Sequence, residues 1–189
     1  MGDDPRMARL GIVNFDAHLD LRTPEVQGRG TSGTPFLQIA EARAAGSQPF
    51  RYLCLGVNPA ANTRALFDRA DSLGVEIVLD TDIVGSRLES VHERIGRFID
   101  GCSAVYLTFC LDVLPAAVAP GVSAPAAPGI SAHSALELLR AALHRCRPAD
   151  VASKLLLADV AELNPTLDPD GRTARMAARV VYEIAQISP

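Results

Sequence analysis

Asp16, His18 and Asp20 stand at alternate positions in the stretch Asn14-Phe15-Asp16-Ala17-His18-Leu19-Asp20, directly after the apolar run Leu10-Gly11-Ile12-Val13. That run reads as a buried strand. Side chains alternate faces along a strand, so the three would start on one side if the extended geometry continued. Two carboxylates and an imidazole suit borderline-to-hard divalent ions such as Mn²⁺, Zn²⁺ or Fe²⁺. A surface loop can hold Asp and His by chance, so the triplet gains its weight from what recurs elsewhere. Cys110 and Asp112 repeat the same spacing at the end of a second apolar run, Leu107-Thr108-Phe109. A third run, Asp159-Val160-Ala161, leads into Glu162 and then a turn containing Pro165.

These groups need a scaffold, and the rest of the chain supplies the pattern of one. Apolar, β-branched-rich runs recur at Leu10 to Phe15, Tyr52 to Val57, Val75 to Leu79, Ala104 to Phe109, and Lys154 to Val160. Helical periodicity separates them, at Phe36 to Ala45, Thr63 to Leu73 and Ile83 to Ile99. In the last of these, Val84, Leu88, Val91, Ile95 and Phe98 share a stripe. Ser131 is a plausible N-cap for a helix running to about Arg145, and Arg172 to Ile187 closes the pattern with another. Strands alternating with helices predict an α/β fold, a parallel sheet covered on both faces. Ligands bind beyond the carboxyl ends of such strands, which selects the loops after Phe15, Phe109 and Val160. Pro115 to Pro128, rich in Pro, Ala and Gly, must be a long loop.

Composition bounds the rest. The 189 residues are 48% hydrophobic and 21% charged, the profile of one globular domain over 1–189. A net charge of −4 gives no reason to expect nucleic acid or an anionic membrane as a partner. No apolar run approaches the roughly 20 residues needed to span a bilayer. The acidic, polar start Met1-Gly2-Asp3-Asp4-Pro5-Arg6 is unlike a signal peptide, and a cytoplasmic home is expected. Cys54, Cys102, Cys110 and Cys146 are widely spaced, so reduced thiols are the default.

Four segments together resemble the ureohydrolase (arginase/agmatinase) family, and most of all its formimidoylglutamase branch. They are Asp16-Ala17-His18-Leu19-Asp20-Leu21-Arg22, Ser32-Gly33-Thr34-Pro35-Phe36, Cys110-Leu111-Asp112-Val113-Leu114-Pro115 and Asp159-Val160-Ala161-Glu162-Leu163-Asn164-Pro165. The resemblance implies a three-layer α/β/α fold with a pair of Mn²⁺ ions at the carboxyl edge of the sheet. It implies that Asp16 bridges both metals, that His18 binds one and Asp20 the other, and that Asp112 binds one metal. Cys110 falls where the family's general pattern has a second bridging Asp. A thiolate there is softer than a carboxylate and favours Zn²⁺, and a buried, inert cysteine is the alternative. The implied reaction converts N-formimidoyl-L-glutamate and water to L-glutamate and formamide, a step of histidine degradation. Asp16 and Glu162 are then the catalytic carboxylates. Glu162 would meet the cationic amidine end of this small-molecule substrate, and Arg22 and Arg29 would meet its carboxylates.

Two departures temper the resemblance: the thiol of Cys110 and a missing histidine ligand. The family supplies a further histidine ligand from a Gly-Gly-His segment preceding the Asp-Ala-His motif, whereas residues 1–10 contain no histidine. The chain is therefore expected to represent the C-terminal, metal-bearing part of the fold, lacking its N-terminal strands. The exposed sheet edge would invite a homo-oligomer. Ser32 stands where arginase has a proton-shuttling histidine, which favours the formimidoyl branch. His133, near the mouth of the Pro-rich loop, is the candidate to replace the missing ligand, while His92 is expected on a solvated face. Two other readings stay open: a non-catalytic remnant binding at most one metal, and a hydrolase of guanidino compounds such as agmatine or guanidinobutyrate.

Overall fold

A computed structural model describes residues 5–26, 28–147 and 152–187. The strands β1 (Leu10–Phe15), β2 (Tyr52–Val57), β3 (Glu76–Leu79), β4 (Ala104–Cys110) and β5 (Leu155–Ala161) form one parallel sheet in the order β3-β2-β1-β4-β5. The chain winds outward from β1 to β3, then returns to place β4 on the other side of β1. That reversal is a topological switch point, where the connections leave a crevice beyond the strand ends. Here the ends are Phe15 and Cys110, so the crevice opens beside Asp16 and Asp112.

The three central runs, β1, β2 and β4, become strands because each has a face to bury on either side. In β1, Val13 and Phe15 enter one core and Ile12 the other. The first core is covered by α3 (Leu88–Asp100), α4 (Ala132–Arg145) and α5 (Arg172–Ile187), through residues such as Ile95, Phe98, Leu138, Leu139 and Val180. The second is covered by α1 (Pro35–Ala45) and α2 (Arg64–Ser72), through Phe36, Leu37, Leu66 and Ala70. Three layers result, as expected from the alternating pattern. Phe15 and Phe109, both fully buried, stack with ring centroids 5.2 Å apart and brace the floor beneath the crevice. β5 lies at a sheet edge, and its Leu157 is 54% exposed. No helix among the described residues is long and apolar enough to cross a membrane.

Local signals explain where helices begin. Ser131 caps α4 as expected, its hydroxyl accepting from the Ser134 N–H at 3.0 Å. The helix expected from Ile83 instead starts at Leu88. Gly85, at φ +49°, turns the chain in a region that side chains disfavour, so Val84 lies outside the stripe and is exposed. The Pro-rich loop is ordered, with Ala119 and Val122 fully buried and Ala116 N–H bonded to the Ala126 carbonyl at 2.8 Å.

α5 docks on α4 through a charged clasp. Arg140 grips the Glu183 carboxylate with contacts of 2.8 and 2.6 Å, and Arg179 adds one of 2.7 Å. Arg140 first, and then Arg179, hold the Glu183 carboxyl down to about 2 from its ordinary 4.5. A depressed carboxylate stabilises the fold above its unfolded pKa, and that contribution is lost as pH falls from about 4.5 through about 2. Both arginines stay partly hydrated, so Glu183→Ala is expected to cost only about 1–2 kcal/mol, read as a lower urea midpoint.

Candidate metal centre

Beyond Phe15 the backbone leaves the sheet, yet the alternation of side chains persists for one more turn. Ala17, Leu19 and Leu21 turn into the apolar core, while Asp16, His18 and Asp20 line a cavity of about 210 Å³. Asn62 sustains this path. Its Nδ2 donates to the Ala17 carbonyl at 2.9 Å, and its Oδ1 accepts the Leu19 N–H at 3.0 Å. The alternation ends at Asp20, whose φ is +51°. A non-glycine residue held in that region is strained, and such strain concentrates at functional sites. The convergence of the triplet is thus the work of a supported loop and not of a continued strand.

β4 delivers the second pair. Cys110 ends the strand, and Asp112 lies in the short 3₁₀ turn Leu111–Val113 that follows. Ligand-capable atoms of Asp16, Cys110 and Asp112 all lie within 4.8 Å of one another, and all three residues are buried. His18 Nδ1 points at them, 3.1 Å from Asp112 Oδ2 and 3.4 Å from Asp16 Oδ1. The turn directly after β5 supplies Glu162 on the far wall, with φ +70° and its Oε2 accepting from the Ser123 hydroxyl at 2.8 Å. Gly121 ties the Ser123 loop to this wall, its carbonyl accepting the Asn164 N–H at 2.8 Å. A Cβ at Gly121 would come within 2.4 Å of the Asp168 Cβ, so no other residue fits that approach.

The electrostatics of the cluster are unbalanced. Burial pushes the carboxyls of Asp20 and Asp112 above their ordinary range, and the Asp16 carboxylate pushes them further. Burial likewise raises the Cys110 thiol. His18 is raised as well, but by hydrogen bonding and against its burial: its bonds to Asp112, and then to Asp16, lift it to about 10, so a proton sits where the negative charge converges. Asp112 Oδ1 is buried with no hydrogen-bond partner, and buried polar atoms are rarely left so. A crowded set of oxygen, nitrogen and sulfur donors, short of positive charge and holding an orphaned carboxylate oxygen, fits a divalent cation.

Arg22 and Ser32 also line the cavity. Arg29 does not: it is exposed, and its N–H pairs with the Val26 carbonyl at 3.0 Å. His133 is far from the role considered for it. Its side chain is 89% exposed in the first turn of α4, with Nε2 3.9 Å from Glu137 Oε2 one turn along. His92, expected on a solvated face, instead bridges α3 to α4 through Glu137 at 3.2 Å. Asn62, Ser123 and Asn14 were not singled out from the sequence. The first two act through contacts distant in the chain, but Asn14 gave a signal, as a polar residue inside an apolar run.

The arginase family model matches residues 5–186. Formimidoylglutamases of Ralstonia nicotianae and Aromatoleum aromaticum are 51% and 48% identical to the chain, over 93% and 97% of it. The chain covers 51% of each, so it spans about half the length of the relatives it matches. Among solved structures, the formimidoylglutamase of Bacillus subtilis superposes with a TM-score of 0.79 at 25% identity, over 95% of this chain and 53% of that one. Trypanosoma cruzi formiminoglutamase with Mn²⁺ gives 0.78 at 25% identity, over 97% and 57%. Matched over nearly all its length in sequence and in fold, the chain belongs to the arginase family.

Proposed function

We propose that the cluster is a Mn²⁺ centre and that the chain serves the hydrolysis of N-formimidoyl-L-glutamate to L-glutamate and formamide. The observation that carries this reading is the convergence of Asp16, Cys110 and Asp112 within 4.8 Å, beside an orphaned Asp112 oxygen. It is supported by relatives near 50% identity that are formimidoylglutamases, and by the Mn²⁺-bound Trypanosoma cruzi formiminoglutamase. Asp16, His18, Asp20 and Asp112 would hold the metal, with Cys110 as a further ligand. Two cores flanking one sheet support reading residues 1–189 as a single domain. A reducing, cytoplasmic setting fits a centre in which Cys110 stays a free thiol.

A bound divalent ion supplies Lewis acidity, and with it a nucleophile from water at neutral pH. The chain's own residues orient the substrate. Glu162 can accept charge-assisted hydrogen bonds from a protonated amidine, and Ser123 holds one of its oxygens while leaving the other open. Arg22 lines the same cavity and offers a guanidinium to a substrate carboxylate. A carboxylate-bearing substrate uses that arginine, whereas agmatine would bring a second cation against it.

The test is direct. Mn²⁺-loaded chain should release formamide and glutamate in equal amounts from N-formimidoyl-L-glutamate. Arg22→Ala should raise KM roughly 10- to 100-fold, the worth of one charge-assisted pair, with a smaller change in kcat. Urea released from agmatine or guanidinobutyrate, with no formamide from the amidine, would reassign the substrate. No product from any of them would remove the catalytic reading for this chain.

A further inference from the structure

Asn14 lies wholly buried in the central strand, directly behind the cluster. Its Nδ2 donates to Asp16 Oδ2 at 3.1 Å and to Tyr52 Oη at 3.0 Å. The Tyr52 hydroxyl spends its one hydrogen on the Leu19 carbonyl at 3.2 Å, so toward Asn14 it can only accept. Both neighbours of Nδ2 are therefore acceptors, and the opposite rotation would set a carbonyl oxygen against a carboxylate. The amide orientation is thus fixed, and it leaves Oδ1 buried without a partner. Strands rarely keep such an amide at a core position, because an apolar side chain of the same size avoids the unsatisfied oxygen.

The gain is at Asp16. Its Oδ1 accepts the His18 N–H at 2.7 Å and its Oδ2 accepts Asn14. Each carboxylate oxygen carries two lone pairs, so these two donors, one at each oxygen, fix the plane of the group; the remaining side of Oδ1 faces the His18 imidazole at 3.4 Å, and that of Oδ2 is left toward a cation. Both donors sit on rigid parts. Asn14 is in register with Cys54 and Thr108 across a sheet bonded on both sides, and the loop carrying His18 is held by Asn62 and Tyr52. We propose that Asn14 is a positioning residue that locks the Asp16 carboxylate in the orientation required for metal binding, at the expense of its own unsatisfied carbonyl. The inference rests on the reading of the cluster as a divalent-metal centre. It adds a residue that touches no metal but sets how tightly one is held, a role partners of ligating carboxylates commonly have.

Free Mn²⁺, followed by its paramagnetic resonance signal during titration of the 189-residue chain, measures the affinity without any substrate. Asn14→Leu should weaken Mn²⁺ binding about 10- to 100-fold. Asn14→Asp, which sets a carboxylate against Asp16, should weaken it at least as much. Tyr52→Phe removes the other contact of the same amide and also the brace on the Leu19 carbonyl, but leaves both donors of Asp16 in place, so it should weaken Mn²⁺ binding less than Asn14→Leu does. A purely structural role would instead lower the melting midpoints of these variants and leave Mn²⁺ affinity at the wild-type value. Wild type that binds Mn²⁺ while folded Asn14→Leu and Asn14→Asp bind it equally well overturns the role of Asn14 alone. Wild type that binds none overturns the metal centre and this inference together. If the variants do not fold, the wild-type side-chain amide of Asn14 decides. Its NMR signal should move on Zn²⁺ loading more than surface amides do, and a signal that stays in place overturns the proposal.

Discussion

Asp16→Ala is expected to weaken Mn²⁺ binding by more than the roughly 10- to 100-fold that loss of a supporting partner costs. Asp16 touches several parts of the centre at once. Asp16 shares the tight grouping with Cys110 and Asp112, lies 3.4 Å from His18 Nδ1, and accepts the backbone N–H that shapes the loop. Its charge is also a chief repulsion acting on Asp20, second only to burial. The variant should therefore lose metal without a matching loss of fold, because it relieves crowding among buried carboxylates even as it removes a partner of His18. Calorimetric Mn²⁺ titration paired with thermal melting of the metal-free protein separates the two effects. Wild-type affinity in Asp16→Ala would contradict its place at the centre.

The second large effect is on pH. In the metal-free fold His18 is raised to about 10 from 6.5, so its contribution to stability is complete below about pH 6.5 and lost as pH rises through about 10. Asp20 is also raised, chiefly by burial, so the folded protein resists its ionisation and loses stability as pH climbs above the ordinary carboxylate range. Both act in the same direction: the metal-free protein weakens as the solution becomes more alkaline. A cation must displace these protons to bind, so its affinity should rise with pH, by up to about tenfold per unit for each proton released. The gap between melting midpoints with and without Mn²⁺ should consequently widen from about pH 6 to about pH 9. Titrations in two buffers of different ionisation enthalpy would count the protons. Affinity that stays flat over this range would show that neither His18 nor Asp20 must give up a proton.

Much of this architecture is legible in the amino-acid order because burial imposes periodicity. The runs at Leu10, Tyr52 and Ala104 sit in a sheet covered on both faces, so they read as unbroken apolar strands and were placed to within a residue. The start of α3 escaped because apolar spacing continued through Ile83 and Val84, while the backbone turned at Gly85. At the centre, Asp16, His18 and Asp20 stand out by type and spacing, and the structure brings them to one cavity. The reason for their convergence was hidden, since it depends on Asn62 reaching across 43 residues to the Leu19 N–H. His133 failed for the opposite reason: nearness to a loop in sequence says nothing of which way a helix face points, and this one faces solvent.

The central claim is that the carboxylate crevice at the switch point is a metal site. Equilibrium titration of the 189-residue chain with Mn²⁺ near neutral to mildly alkaline pH tests it most directly. Saturable binding of at least one ion per chain is predicted, abolished in Asp112→Ala, whose orphaned oxygen would be gone. No saturable binding by wild type, or equal binding by Asp112→Ala, would contradict it.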